Sequence, residues 1–211
     1  MNATTSRAAM RIGATGVAAI AMLVAASAQH RPLGPPTPSG ATIIGGLPMA
    51  PAPPPPPGWK MRPVVPTSQQ QAQDTVIGYL KKTLQALPTG TVFDRARYAG
   101  SGNTPCNDEP TGVPPNEFSD IRDAVFPPET DVDAMIAKAG EIWQGWGWYV
   151  REREGFRKPN RFGYAPDGYS LQIVAANHNG YPPTVTGVSP CFPGELARDD
   201  IKVPVVLKAD S

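Results

Sequence analysis

The sequence predicts an α+β domain: an antiparallel sheet of about four strands with two helices packed on one face, in the order α-β-α-β-β-β. Three observations predict it. Two segments repeat apolar residues at helical spacing. Four segments hold strand formers between turn residues. Two cysteines, Cys106 and Cys191, are available to staple the result.

The first helix opens at Ser68, which with Gln71 fits a capping box. Val76, Leu80, Leu84 and Leu87 make one apolar face, with Ile77 beside it, and Pro88-Thr89-Gly90 ends the run. Residues 91–99, TVFDRARYA, read as the first strand. Residues 107–128 are rich in Pro, Asp, Glu and Asn and read as a loop, with room for a short helical turn over Phe118 to Val125. Thr130 with Asp133 marks a second helix start. The stripe Val132, Met135, Ile136, Ala139, Ile142, Trp143 follows, and Gly145 and Gly147 stop it. Three strands are expected after it: 148–154, 169–177 and 184–191. Pro166-Asp167-Gly168 and Asn179-Gly180 supply turns between them. Pro182 and Pro183 suggest that the last strand starts late or lies at an edge, and Pro204 interrupts a possible strand over 201–207.

The chain divides into four parts: a signal peptide over 1–28, a proline-rich disordered tether over 29–66, the stapled domain over 67–197 and a tail over 198–211. Arg7 and Arg11 precede the apolar run Ile12 to Ala26, and Ala26-Ser27-Ala28 offers small residues for cleavage before Gln29. The expected location is therefore secreted or in the cell envelope, outside the cytoplasmic membrane. Ser27 stands where a lipobox would need its cysteine, which argues against a lipid anchor. Residues 29–66 hold 13 of the 27 prolines and suit an extended spacer. In an oxidising compartment the cysteine pair reads as one disulfide. Removing Arg7 and Arg11 takes the basic residues from 19 to 17 against 18 acids, a net charge of −1. That balance gives no global pull toward nucleic acid.

Catalytic and metal chemistry find little to work with. His30 and His178 are the two histidines, one in the tether and one beside the Asn179-Gly180 turn, so no metal site is expected. The chain has no G-x-S-x-G and no phosphate-binding glycine loop, and no cofactor is expected. Glu152 and Glu154 lie two apart on one expected strand, alternate with arginines and suit surface ion pairs better than a glycosidase cleft. The expectation is a non-enzymatic binding module. Its alternatives are a carrier of a lipid or other small hydrophobe and, more remotely, an envelope hydrolase.

Two groups are candidates for ligand binding. Arg151, Arg153, Arg157, Lys158 and Arg161, interleaved with Phe156, Phe162 and Tyr164, could grip a polyanionic glycan, a lipid headgroup or an acidic protein face. The plainer reading is a solvated hairpin partly neutralised by Glu152 and Glu154. Trp143, Trp146 and Trp148 could wall an apolar pocket, or simply pack the core. The partner classes in view are thus a cell-wall component, a lipid or an envelope protein.

The helix ending Ala86-Leu87-Pro88, the strand and cysteine after it, the long second helix, Asp167-Gly168-Tyr169 and the run Val185-Thr186-Gly187-Val188-Ser189-Pro190-Cys191-Phe192 together resemble the LppA-type family of mycobacterial envelope lipoproteins over about residues 70–195. The resemblance implies an envelope location and pairing of Cys106 with Cys191. That family has no known molecular function and supplies no catalytic residues. The chain departs from it in lacking the lipobox cysteine.

Overall fold

The computed structural model describes residues 43–44, 47–48, 54–98, 102–107, 112–198 and 200–210. The expected signal peptide and most of the expected tether lie outside the described residues. Ile43–Ile44 (β1) and Leu47–Pro48 (β2) pair antiparallel, apart from the main sheet.

Helix α1 spans Gln69–Gln85. Ser68 caps it, its hydroxyl accepting from the Gln71 amide at 3.1 Å. The Gln71 side chain reaches back one residue further than in a standard capping box and accepts from the Thr67 amide. Helix α2 spans Val132–Gly145 and is capped by Asp131, not by the expected Thr130, whose hydroxyl donates to the Pro127 carbonyl instead. Ala72, Val76, Leu80 and Leu84 of α1 and Ile136, Ala139 and Trp143 of α2 are buried, as the apolar stripes require.

The sheet has eight strands, not four. β3 (Val92–Asp94), β4 (Gly102–Pro105), β5 (Asn116–Val125), β6 (Tyr149–Arg151), β7 (Asn160–Tyr164), β8 (Ser170–Val174), β9 (Thr184–Val188) and β10 (Val206–Leu207) run in the order β10-β3-β5-β9-β8-β7-β6, with β4 also on β5. Every pairing is antiparallel.

Three differences from the expected strands have physical causes. The segment read as a loop with a helical turn is the ten-residue central strand β5. Its inner positions are Phe118, Asp120, Arg122 and Ala124, and the two charged ones break the apolar alternation that marks a strand. Second, β7 sits in the basic hairpin, where Arg161 and Gly163 interrupt the pattern. Third, β9 starts at Thr184, past Pro182 and Pro183 as expected, but is internal, between β5 and β8, and not at an edge. The Pro183 carbonyl accepts from Ala124 at 2.8 Å, so the prolines cap the strand without removing a needed donor.

Both helices lie on one face. Asp120, Gly187, Leu171, Gly163 and Val150 are register partners across β5, β9, β8, β7 and β6, so their side chains share a face. A Cβ on Gly187 would lie 2.6 Å from Val76 of α1, and one on Gly163 would lie 2.8 Å from Trp143 of α2. The two glycines let the helices seat directly on the sheet.

The disulfide joins Cys106, just past β4, to Cys191, just past β9, with Cα atoms 6.4 Å apart. The chain-entropy model gives about 4–5 kcal/mol for a loop of this length. Residues on either side of 67–197 also touch this domain. Ahead of Thr67, the Arg62 and Val64 amides donate to the carbonyls of Pro166 and Asp167, and Pro63 lies against Gly168. Gly168 has φ of 92°, which the turn there requires. In the expected tail, β10 pairs with β3 and buries Leu207 fully.

Candidate functional site

The face opposite the helices carries the other half of every strand. One row is Ser119, Val188, Ser170, Tyr164 and Tyr149. The next is Ile121, Thr186, Gln172, Phe162 and Arg151. Hydroxyls and an amide fill its centre, and rings and arginines gather toward β6 and β7. No helix packs on this face among the described residues.

The basic hairpin divides into two populations. Lys158 bonds Glu154 at 2.7 Å and lies 3.9 Å from Glu152, and Arg161 donates to Glu152. The bond to Glu154 pushes the Lys158 ammonium pKa up. Arg161 also sends its stem along the inner face against Gly140. These two cations are satisfied by their own hairpin, as a solvated hairpin requires. Arg151, Arg153 and Arg157 form no ion pair among the described residues. Two of them have rings as neighbours: Arg151 sits 5.7 Å from the Tyr164 centroid and 6.0 Å from Tyr149, and Arg153 sits 4.9 Å from Phe162 and 5.0 Å from Phe156. Arg151 Nε is buried without a hydrogen-bond partner. Guanidinium groups held over rings are pre-ordered and can still offer donors to an anion.

The hairpin's shape comes from the buried Asn160 side chain. It accepts from the Arg153 amide and donates to the carbonyls of Arg153 and Arg157, which fixes the loop that presents both arginines. Phe156 then folds over Phe162, centroids 4.8 Å apart. Between this loop and the sheet lies a groove of about 290 Å³, lined by Phe156, Arg157, Gln172, Val174, Thr184 and Thr186. Thr186 and Gln172 are not legible in the sequence, because isolated polar residues in a strand carry no signal until pairing shows which face they share.

The tryptophans fall on the other side. Trp143 is fully buried and donates from Nε1 to the Thr83 hydroxyl at 3.1 Å, tying α2 to α1. Trp148 is nearly buried and meets Tyr79 edge-on at 4.8 Å. Trp146 stacks on Tyr79 with the Lys82 ammonium 4.3 Å above its ring. Burial, then the bond to Asp167, pushes the Tyr79 hydroxyl pKa far up. This cluster packs the junction of helices and sheet. Trp148 also borders a groove of about 540 Å³, which Trp59 and Pro57 line as well.

His178 lies in an exposed loop against Tyr181, and His30 is outside the described residues. The one grouping of metal-capable side chains among the described residues is Cys106, Glu117 and Cys191, and its two sulfurs are joined to each other. No helix among the described residues is long and apolar enough to cross a membrane. No family model, curated protein or solved structure matches the chain.

Proposed function

We propose that this chain is a secreted or envelope-held, non-enzymatic binding module that contacts an anionic envelope component through its open sheet face. One observation carries the reading: Arg151 and Arg153 rest on rings and, like Arg157, pair with no carboxylate among the described residues, while Lys158 and Arg161 in the same hairpin are neutralised. In a protein of near-zero net charge, such a patch gives local attraction for anions without general stickiness. The LppA-type resemblance and the expected leader favour the same location.

Retention on immobilised dextran sulfate tests it. The full chain should be retained and elute with salt. R151S/R153S/R157S should lose most of that retention, and K158S/R161S should keep it. Equal loss in both variants, or no retention of the parent, overturns the reading.

A carrier of a small hydrophobe is favoured by the groove of about 540 Å³ bordered by Trp59 and Trp148. Native mass spectrometry of protein from its own host tests that alternative: a co-purifying lipid supports it, and a bare chain counts against it.

A further inference from the structure

We infer that the groove under Phe156 holds one carboxylate-bearing sugar ring, so that the anionic component is a uronate-containing glycan. This rests on the reading of the open face as an anion-contact surface and names its ligand class.

Thr186 is the starting point. It is only 6% exposed, and its hydroxyl is buried without a hydrogen-bond partner. A buried hydroxyl left unpaired costs free energy, and such groups in native proteins call for an explanation. Thr186 stands mid-sheet, paired with Ile121 on one side and Gln172 on the other, and it lines the groove. A ligand hydroxyl entering there would give it a partner.

The rest of the lining narrows the chemistry. Thr184 and Gln172 add a hydroxyl and an amide, each able to donate and accept, which suits ligand hydroxyls better than a second charge. Phe156 and Val174 offer apolar surface for a ring's C–H face. Arg157 closes one side, and Arg153, held on Phe156 and Phe162, lies next to it. At about 290 Å³ the groove is at the small end of the roughly 300–1,000 Å³ range of small-molecule sites, which limits it to one ring of a longer chain. A ring with several hydroxyls, one apolar face and one carboxylate is a uronic acid. Arg151, on the same face beside Tyr149 and Tyr164, is placed for the next anionic residue along the glycan. Phosphorylated headgroups fit less well, because compact phosphates use neither the apolar wall nor the row of neutral partners.

The test is titration calorimetry of the full chain with an oligogalacturonate, with its fully methyl-esterified form and with dextran sulfate. The inference expects binding of the free acid, at least tenfold weaker binding of the ester, and binding weakened about three- to tenfold by T186V and about tenfold or more by F156A. The T186V figure is what one neutral hydrogen bond contributes. Far- and near-ultraviolet circular dichroism of each variant identifies any that fails to fold. T186V, nearly isosteric, keeps the test decisive if F156A does fail. Binding of dextran sulfate with none of oligogalacturonate overturns the sugar assignment and leaves the anion-contact reading standing. Binding of neither overturns both. Oligogalacturonate binding unchanged by T186V and F156A moves the ligand out of the groove and overturns the inference.

Discussion

The two faces of the sheet solve opposite problems with the same strands. On the inner face the central charged pair is enclosed and held. Arg122 and Asp120 are fully buried, bonded to each other at 2.7 Å, and Arg122 also donates to the carbonyls of Phe93, Pro204 and Val205. Burial pushes the Arg122 guanidinium pKa down, and Asp120 pulls against that shift. On the outer face, Arg151 and Thr186 keep buried polar atoms with no partner. A satisfied network specifies structure, and an unsatisfied buried group calls for an explanation, which at Thr186 is the proposed ligand.

Breaking the inner network should have the largest effect. Arg122→Ala takes the guanidinium from the buried Asp120 and one donor each from the carbonyls of Phe93, Pro204 and Val205, and it unfastens β10 from the centre. A loss of about 3–5 kcal/mol in urea denaturation is expected. Replacing both partners, as Arg122→Met with Asp120→Leu, should recover much of it, since no lone charge remains. A single-substitution cost under about 1 kcal/mol would show that the tail, not the pair, organises this region.

Gly187→Ala attacks the same face by volume. The new methyl meets Val76 at 2.6 Å and Leu171 at 3.1 Å, so those side chains or α1 itself must shift. Overpacking of this kind costs about 1–3 kcal/mol. The change should leave dextran sulfate retention intact, because Gly187 points away from the open face.

The contrast also explains what the sequence disclosed. Both helices, their apolar stripes, the disulfide partners and the strands around Leu171 and Val185 were legible, because apolar periodicity and turn residues speak locally. The central strand was not, since Asp120 and Arg122 occupy core positions and read as loop until their mutual bond is seen. Of the candidate site, the basic residues and rings were visible as a cluster. The split between neutralised and unpaired cations was not, because it depends on which carboxylates the hairpin brings within reach. Thr186 was invisible for the same reason.

Thr186→Val sharpens the comparison from the outer side. Without ligand, the substitution removes an unpaired buried hydroxyl and keeps the shape, so stability should rise by about 1 kcal/mol. That would move the thermal midpoint by about 2–8 °C for a domain of this size. An equivalent swap on the inner face, Thr83→Val, strips the acceptor from Trp143 Nε1 and should lower the midpoint instead. Opposite signs for two Thr→Val changes distinguish a satisfied face from an unsatisfied one. Equal signs would erase the distinction.

The smallest effect tests the outer face through pH. Glu117 sits on β5 in the Ser119 and Ile121 series, opposite Thr104 of β4 and close to the disulfide sulfurs. Burial there raises its carboxyl above the ordinary glutamate value. Between the unfolded and the raised folded pKa, the folded chain therefore holds more proton than the unfolded one. Stability must fall as pH rises through that window, by linkage. It is unaffected by this group below the ordinary value of about 4.3 and level again above the folded value. This is the reverse of a salt-bridged carboxylate, whose contribution grows with pH. Glu117 is half-buried, so water screens most of the penalty and the slope should be shallow. Urea midpoints of the parent and of Glu117→Gln, taken from about pH 4 to about pH 7, separate this group from the others. The parent should lose ground to the variant across that range, and the difference should then hold constant. A variant that loses ground instead would mean that the carboxylate is stabilised near the disulfide, and that this corner of the open face is as well satisfied as the core.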